Sequence, residues 1–213
     1  MPTIETLTTF FGVAVLLGLS PGPDNLFVLL QSAQRGWRAG MCVVLGLCLG
    51  LVVHTAAVAL GLAAVFAASS RAFAVLKWCG AAYLVWLAWG ALRAPAGPDG
   101  SEPGAGAVPA RGGALRMVGR GMVMNLTNPK VLIFFLAFLP QFADPLRGSV
   151  AAQLMVLGVV FMLATLLVFG AIACFSGAFG ALLQRSARAR RWLNRVAGLV
   201  FLGLAARLAT AQR

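Results

Sequence analysis

The chain has 213 residues, 61% of them hydrophobic and only 10% charged. A soluble domain carries about 25% charged and about 45–50% apolar residues, so this composition excludes an ordinary water-soluble enzyme, a disordered protein and a secreted disulfide scaffold. The net charge of +12, from 17 basic and 5 acidic residues, would suggest nucleic acid as the partner of a soluble protein; here the basic residues sit between hydrophobic runs, where they signal topology, and no nucleic acid is expected.

Six hydrophobic segments, roughly 7–34, 39–68, 72–92, 117–142, 149–182 and 192–210, are of membrane-span length. They predict an all-α integral membrane protein with six transmembrane helices. The first segment is preceded by Glu5 instead of a basic flank, is long, and is closely followed by another span; it reads as a span, not a cleavable signal peptide. Ser20-Pro21-Gly22-Pro23-Asp24-Asn25 interrupts it. Proline removes a backbone donor and clashes with the preceding turn, and glycine admits angles other residues avoid, so Pro21, Gly22 and Pro23 should break the helix. In hydrocarbon such a break is tolerated only inside protein or beside a water-filled cavity.

The half-helix restarting near Asp24 and Asn25 offers amides suited to an anion such as a substrate carboxylate; the alternative is a packing kink capped by Asp24. Asp24 is the one acidic residue deep in a hydrophobic segment. An ionised Asp at a helix centre costs about 2.5–3.5 kcal/mol on insertion scales. It therefore needs a partner, a proton or water, and such residues are functional candidates. Asp24 could carry a proton or anchor a substrate ammonium, or be a static cap or ion pair.

The second segment carries Gly36-x-x-x-Gly40 at its start, then Gly46, Gly50 and His54 at successive i+4 positions. A small-residue stripe lets another helix approach closely. Gly36 and Gly40 could serve packing within the protomer or a homodimer contact, and His54 could reach a cavity as a proton relay or be satisfied by a backbone carbonyl. In the third segment Tyr83, Trp86 and Trp89 are spaced three apart; they could line a cavity but read first as core packing, whereas Trp37, Trp78 and Trp192 lie near segment ends, as an interfacial belt requires. The Gly-, Pro- and Ala-rich stretch 94–115 reads as a flexible cytoplasmic linker. It separates a first three-helix repeat, 1–93, from a second, 116–213.

The fourth segment is interrupted in its turn, by Asn125-Leu126-Thr127-Asn128-Pro129-Lys130. Lys130 follows Pro129 as Asp24 follows Pro23. It could pair with Asp24, bind a carboxylate, or snorkel to an interface. Asn125 and Asn128 could hydrogen-bond a zwitterion or merely satisfy the broken backbone. Cys42, Cys48, Cys79 and Cys174 form no CxxC and no zinc-type Cys/His spacing, so neither a metal nor another cofactor is expected.

Loop charges set the orientation. Arg35 and Arg38, then Arg93, Arg111, Arg116 and Arg120, then Arg185, Arg188, Arg190, Arg191 and Arg195 fall in alternate loops, against Arg71 and Arg147 in the others. The positive-inside rule places the basic loops in the cytoplasm and both termini outside, with attraction to anionic lipid as a by-product. The halves also match each other: Pro23 with Pro129, Arg35-Gly36 with Arg147-Gly148, Leu45-Gly46 with Leu157-Gly158, and Lys77-x-x-Gly80 with Arg195-x-x-Gly198. Three spans is an odd number, so consecutive copies insert with opposite orientation. Inverted repeats with a matched pair of interrupted spans point to a midplane binding site.

Pro21-Gly22-Pro23-Asp24-Asn25-Leu26, Gly36-x-x-Ala39-Gly40 and Leu45-Gly46-x-x-x-Gly50-x-x-x-His54 resemble the first half of the LysE/RhtB family of amino-acid exporters. Lys77-x-x-Gly80-Ala81-Ala82-Tyr83-Leu84 continues the pattern. Asn125-Leu126-x-Asn128-Pro129-Lys130, Phe134-Phe135-Leu136 and Leu139-Pro140-Gln141-Phe142 resemble the second half. The resemblance runs over about the whole chain apart from the linker and the last segment. It implies a multi-pass secondary exporter of the bacterial inner membrane, driven by protons, whose cargo is an amino acid or derivative such as threonine, homoserine, leucine or lysine; the alternatives are export of a metal ion or other small non-amino-acid solute, or a non-transporting membrane subunit. No residue decides between a neutral and a basic amino acid.

Overall fold

A computed structural model describes residues 1–20, 22–68 and 113–176, with single positions between 78 and 93 and between 191 and 209. Pro21, Cys79, Tyr83, the linker stretch 94–112, and the basic residues Arg71, Lys77, Arg111, Arg185, Arg188 and Arg190 lie outside the described residues. So do more than half of the third segment and about half of the sixth.

Helix α1, Ile4–Leu19, starts at Thr3, whose side chain accepts from the N–H of Thr6, and carries Glu5 in its first turn. Helix α2, Pro23–Arg35, begins with proline at its first helical position, where no N–H is needed. It ends at Gly36, whose φ of +85° is a left-handed conformation that glycine adopts freely. Helix α3 is Trp37–Ala68 and helix α4 is Ala114–Thr127. Helix α5, Pro129–Ile133, runs on as a π turn, Phe134–Phe138, and a 3-10 turn, Leu139–Phe142. A 3-10 turn at Pro145–Arg147 leads to helix α6, Val150–Cys174. All regular structure among the described residues is helical.

Two stretches, Trp37–Gly61 and Val150–Cys174, are each 25 residues long and apolar. At 1.5 Å per residue each spans about 37 Å, beyond the hydrocarbon thickness of about 30 Å. The pairs α1–α2 and α4–α5 are bent by 65° and 55°, and each has the length and composition of one broken span. Four of the six expected spans therefore have continuous helical counterparts among the described residues, and the described positions of the third and sixth segments are helical as well. The fifth segment, expected to reach residue 182, is helical to Cys174, and residues 177–190 are not described.

The distribution of polarity is that of a protein in lipid. Met155, Val159, Leu163 and Leu167 form an exposed i+4 row along α6, and Leu45, Leu49, Val52, Val53 and Leu60 are exposed along α3. Contiguous exposed apolar surface of this kind marks membrane contact. The opposite faces bury His54, Thr55, Gln153 and Thr165. The hydroxyl of Thr55 donates to the Leu51 carbonyl at 2.7 Å, and that of Ser32 to the Val28 carbonyl at 2.7 Å.

Glycines set the interhelical distances. A Cβ on Gly46 would fall on the Val118 carbonyl oxygen of α4, and one on Gly121 on the Val43 carbonyl oxygen of α3. The two backbones cross in direct contact there. Next along the stripe, Gly50 leaves room for the Asn125 side chain, whose Oδ1 lies 2.6 Å from where a Cβ would stand. Gly40 accommodates Ser32 and Ala173, which assigns it to packing within the protomer. Gly158 accommodates Thr55. In the third segment the reading of Trp86 and Trp89 as core is corrected: they are 63% and 56% exposed. Trp37, Trp78 and Trp192 are exposed as expected.

Candidate functional site

The two helix breaks meet. Asn128 caps α5 by accepting from the Lys130 N–H at 3.0 Å, and its amide Nδ2 donates to Asp24 Oδ2 at 2.9 Å. Both partners fix the orientation of this amide, because a carboxylate accepts and an N–H donates. Asp24 and Asn128 are both buried. Asn25, on the next residue of α2, donates to the Gly18 carbonyl at 2.6 Å and ties the half-helix back to α1.

Lys130 reaches across to the first break. Its ammonium donates to the Ser20 carbonyl at 3.1 Å and to the Leu17 carbonyl at 3.4 Å. These are carbonyls freed where α1 ends, and a cation at a helix C-terminus is favoured by the helix dipole. The ammonium also lies 3.0 Å from where a Cβ on Gly22 would stand. Of the readings open for Lys130, direct pairing with Asp24 is not the arrangement seen: no ion pair within 4.0 Å joins them. Asn128 links the Asp24 carboxylate to the Lys130 backbone N–H, not to its ammonium. Snorkelling is also corrected, since the ammonium is committed to backbone inside the bundle. The capping alternative for Asp24 fails too: the N-cap of α2 is Gly22, no side chain caps it, and Asp24 faces Asn128.

The second half of the site sits one helix turn away. His54 Nε2 lies 3.4 Å from the Asn125 carbonyl, and both residues are buried. This is the contact the stripe Gly46-Gly50-His54 allows, and it favours the reading of His54 as satisfied by a backbone carbonyl. The His54 ring also lies 5.6 Å from that of Phe135.

All the site candidates except Pro21, which is not described, thus gather where α1, α2, α3, α4 and α5 converge: Asp24, Asn25, His54, Asn125, Asn128 and Lys130, around Gly22, Pro23 and Pro129. Three buried side-chain oxygens there accept no hydrogen bond: Asp24 Oδ1, Asn25 Oδ1 and Asn125 Oδ1. Buried polar atoms are normally paired. A buried carboxylate oxygen without a donor is chemically set to receive one: an ammonium, a proton or a water. Among the described residues no three of His, Cys, Asp and Glu gather as metal ligands. Sequence reasoning missed the backbone carbonyls of Leu17, Gly18 and Ser20. The proline break signalled that carbonyls would be freed but not which cation would claim them.

Fold and site together define a helical membrane protein with two bent helix pairs. A model of the LysE type translocator family matches residues 7–212. The chain is 32% identical over 210 residues to the homoserine/homoserine lactone efflux protein of Salmonella typhimurium, a match covering 99% of this chain and 98% of that protein. It is 30% identical over 203 residues to the leucine efflux protein of Enterobacter sp., covering 95% and 94%. It is 34% identical over 215 residues to an uncharacterized membrane protein of Pseudomonas aeruginosa, covering 99% of each. No solved structure matches it. The chain belongs to the LysE type translocator family; it is a membrane translocator of a small molecule and not an enzyme.

Proposed function

We propose that the chain exports a small amino acid or amino-acid derivative across the bacterial inner membrane, in exchange for protons, by alternating access around the junction of the broken helices. The observation that carries this reading is Asp24: a buried carboxylate with one oxygen held by Asn128 and the other unpartnered. One carboxylate oxygen accepts either an ammonium or a proton, not both. Competition for that atom couples the two fluxes, because a proton arriving from outside displaces the cargo ammonium and a cargo arriving from the cytoplasm displaces the proton. Asn25 and Asn125 add acceptors for the remaining ammonium hydrogens. The uncapped start of α2, with the amides of Asp24 and Asn25, suits the cargo carboxylate. Lys130 holds the broken end of α1 in place, with His54 as a relay candidate beside Asn125.

The architecture in this reading is six spans in two inverted repeats, 1–93 and 116–213, joined by the cytoplasmic linker 94–115, with both termini outside. The packing supports it: α1 of the first half packs against α6 of the second, and α4 of the second against α3 of the first. The names of the relatives make homoserine and leucine the first cargoes to try. The test is counterflow in proteoliposomes with an amino-acid panel at two pH values. Asp24→Asn should reduce specific flux at least tenfold while inserting normally. Undiminished flux in that variant rejects the assignment of Asp24, and no flux of any amino acid through the parent rejects the cargo class.

A further inference from the structure

Six phenylalanines fill the space beyond the site. Phe10, Phe134, Phe135, Phe138, Phe142 and Phe161 are each no more than 5% exposed. The rings form a continuous stack: Phe135 lies 5.2 Å from Phe161, Phe161 lies 5.3 Å from Phe134, and Phe10 lies 6.1 Å from Phe134 and 5.0 Å from Phe142. One end touches the site, through Phe135 against His54. The other end opens on a cavity of about 300 Å³ lined by Glu5, Thr6, Thr9, Gln141, Phe142 and Ala143. That cavity lies at the exposed end of the bundle, where the Met1 amine donates to the Arg147 carbonyl at 2.6 Å and Arg147 pairs with Asp144 at 3.2 Å.

The same order recurs along two independent stretches of chain. On α1 the sequence runs from Ser20 at the site, through Phe10, to Thr9 and Glu5 at the cavity. On α5 and its continuation it runs from Lys130 at the site, through Phe134 and Phe138, to Phe142 and Ala143 at the cavity. From Thr9 to Ser20 the rise is about 16 Å of helix, and buried aromatic rings occupy it. The stretch that carries most of the rings, Phe134–Phe142, is wound as π and then 3-10 helix. Such irregular turns recur at functional sites and hinges.

We infer that these rings form a hydrophobic gate between the polar junction and the Glu5–Gln141 cavity, shut in this structure, and that the cavity is the vestibule through which a small ammonium-bearing cargo passes on the α1 N-terminal side. The assignment of the junction as cargo site rests on the proposed function; the gate itself is tested without cargo.

The experiment is thiol labelling with a membrane-impermeant maleimide applied from the α1 N-terminal side, in a chain whose own cysteines are replaced. Thr9→Cys in the vestibule should label fast. Ser20→Cys at the junction should label at least tenfold more slowly, and adding Phe10→Ala should bring it up to the Thr9→Cys rate. Phe10→Leu, which keeps an apolar plug, should restore protection. Ile172→Cys, buried in a separate apolar cluster, should stay protected throughout. Equal labelling of Ser20→Cys and Thr9→Cys in the parent overturns the gate, and so does unchanged protection of Ser20→Cys in Phe10→Ala. If Ile172→Cys becomes labelled, Phe10→Ala has lost its fold, and Phe142→Ala at the outer end of the stack decides by the same comparison. A chain that shows this labelling pattern but carries no amino acid keeps the gate and loses the cargo assignment.

Discussion

Asn128 performs two tasks with one amide. Its oxygen caps α5 and its nitrogen holds the Asp24 carboxylate. Replacement by alanine removes a cap worth about 1 kcal/mol and strips a buried carboxylate of its donor, a further cost of about 1–3 kcal/mol. Asn128→Ala should therefore lower the melting temperature of the purified protein by several degrees and also reduce transport; a variant with unchanged melting and flux would remove Asn128 from the account. Lys130 gives a sharper test. With its ammonium on the Leu17 and Ser20 carbonyls, Lys130→Met should lower thermal stability while leaving the ratio of affinities for an amino acid and its methyl ester unchanged. A selective loss of affinity for the free carboxylate would show that Lys130 holds cargo instead. At this scale the sequence made the candidates visible: an acid, a base and three asparagines beside paired prolines are expensive in hydrocarbon and need a reason. Their partners were not legible, because the bridge from Asp24 through Asn128 to Lys130 depends on how two breaks about a hundred residues apart are docked.

The helices are held at distances that glycine sets. Gly46 and Gly121 bring the α3 and α4 backbones together, and overpacking such a contact costs typically about 1–3 kcal/mol or more. Gly46→Val and Gly121→Val should each sharply reduce the yield of folded, monodisperse protein. Leu45→Val, one residue from Gly46 but on the exposed face, should be within about 0.5 kcal/mol of the parent; comparable losses in all three would contradict the crossing. The i+4 spacing of Gly46, Gly50 and His54 made this stripe visible in the sequence. Its partner on α4 was not visible, since no pattern on one helix names the helix that will meet it. Trp86 and Trp89 were misread for a related reason. Spacing shows that side chains share a face, but in a membrane protein the lipid face and the core are both apolar, so hydrophobic patterning does not say which way that face points.

At the scale of the whole molecule, composition and segment length defined a membrane protein; the first, second and fourth spans fall within a few residues of their expected ends, the fifth starts where expected, and its expected end at residue 182 lies outside the described residues. The two interruptions identified the junction, because proline and glycine break a helix wherever it is placed. The gate was not legible: Phe134, Phe135, Phe138 and Phe142 read as ordinary apolar sequence until the chain folds Phe10 and Phe161 onto them. In the proposed cycle Asp24 exchanges cargo for a proton behind closed rings. Its most direct test is proton movement driven by cargo. Proteoliposomes loaded with a pH-sensitive dye, with no imposed gradient, are given external homoserine or leucine. The account predicts that the lumen becomes alkaline as cargo enters and protons leave, and that Asp24→Asn abolishes the change. Cargo uptake without proton movement, or proton movement that survives Asp24→Asn, would contradict it.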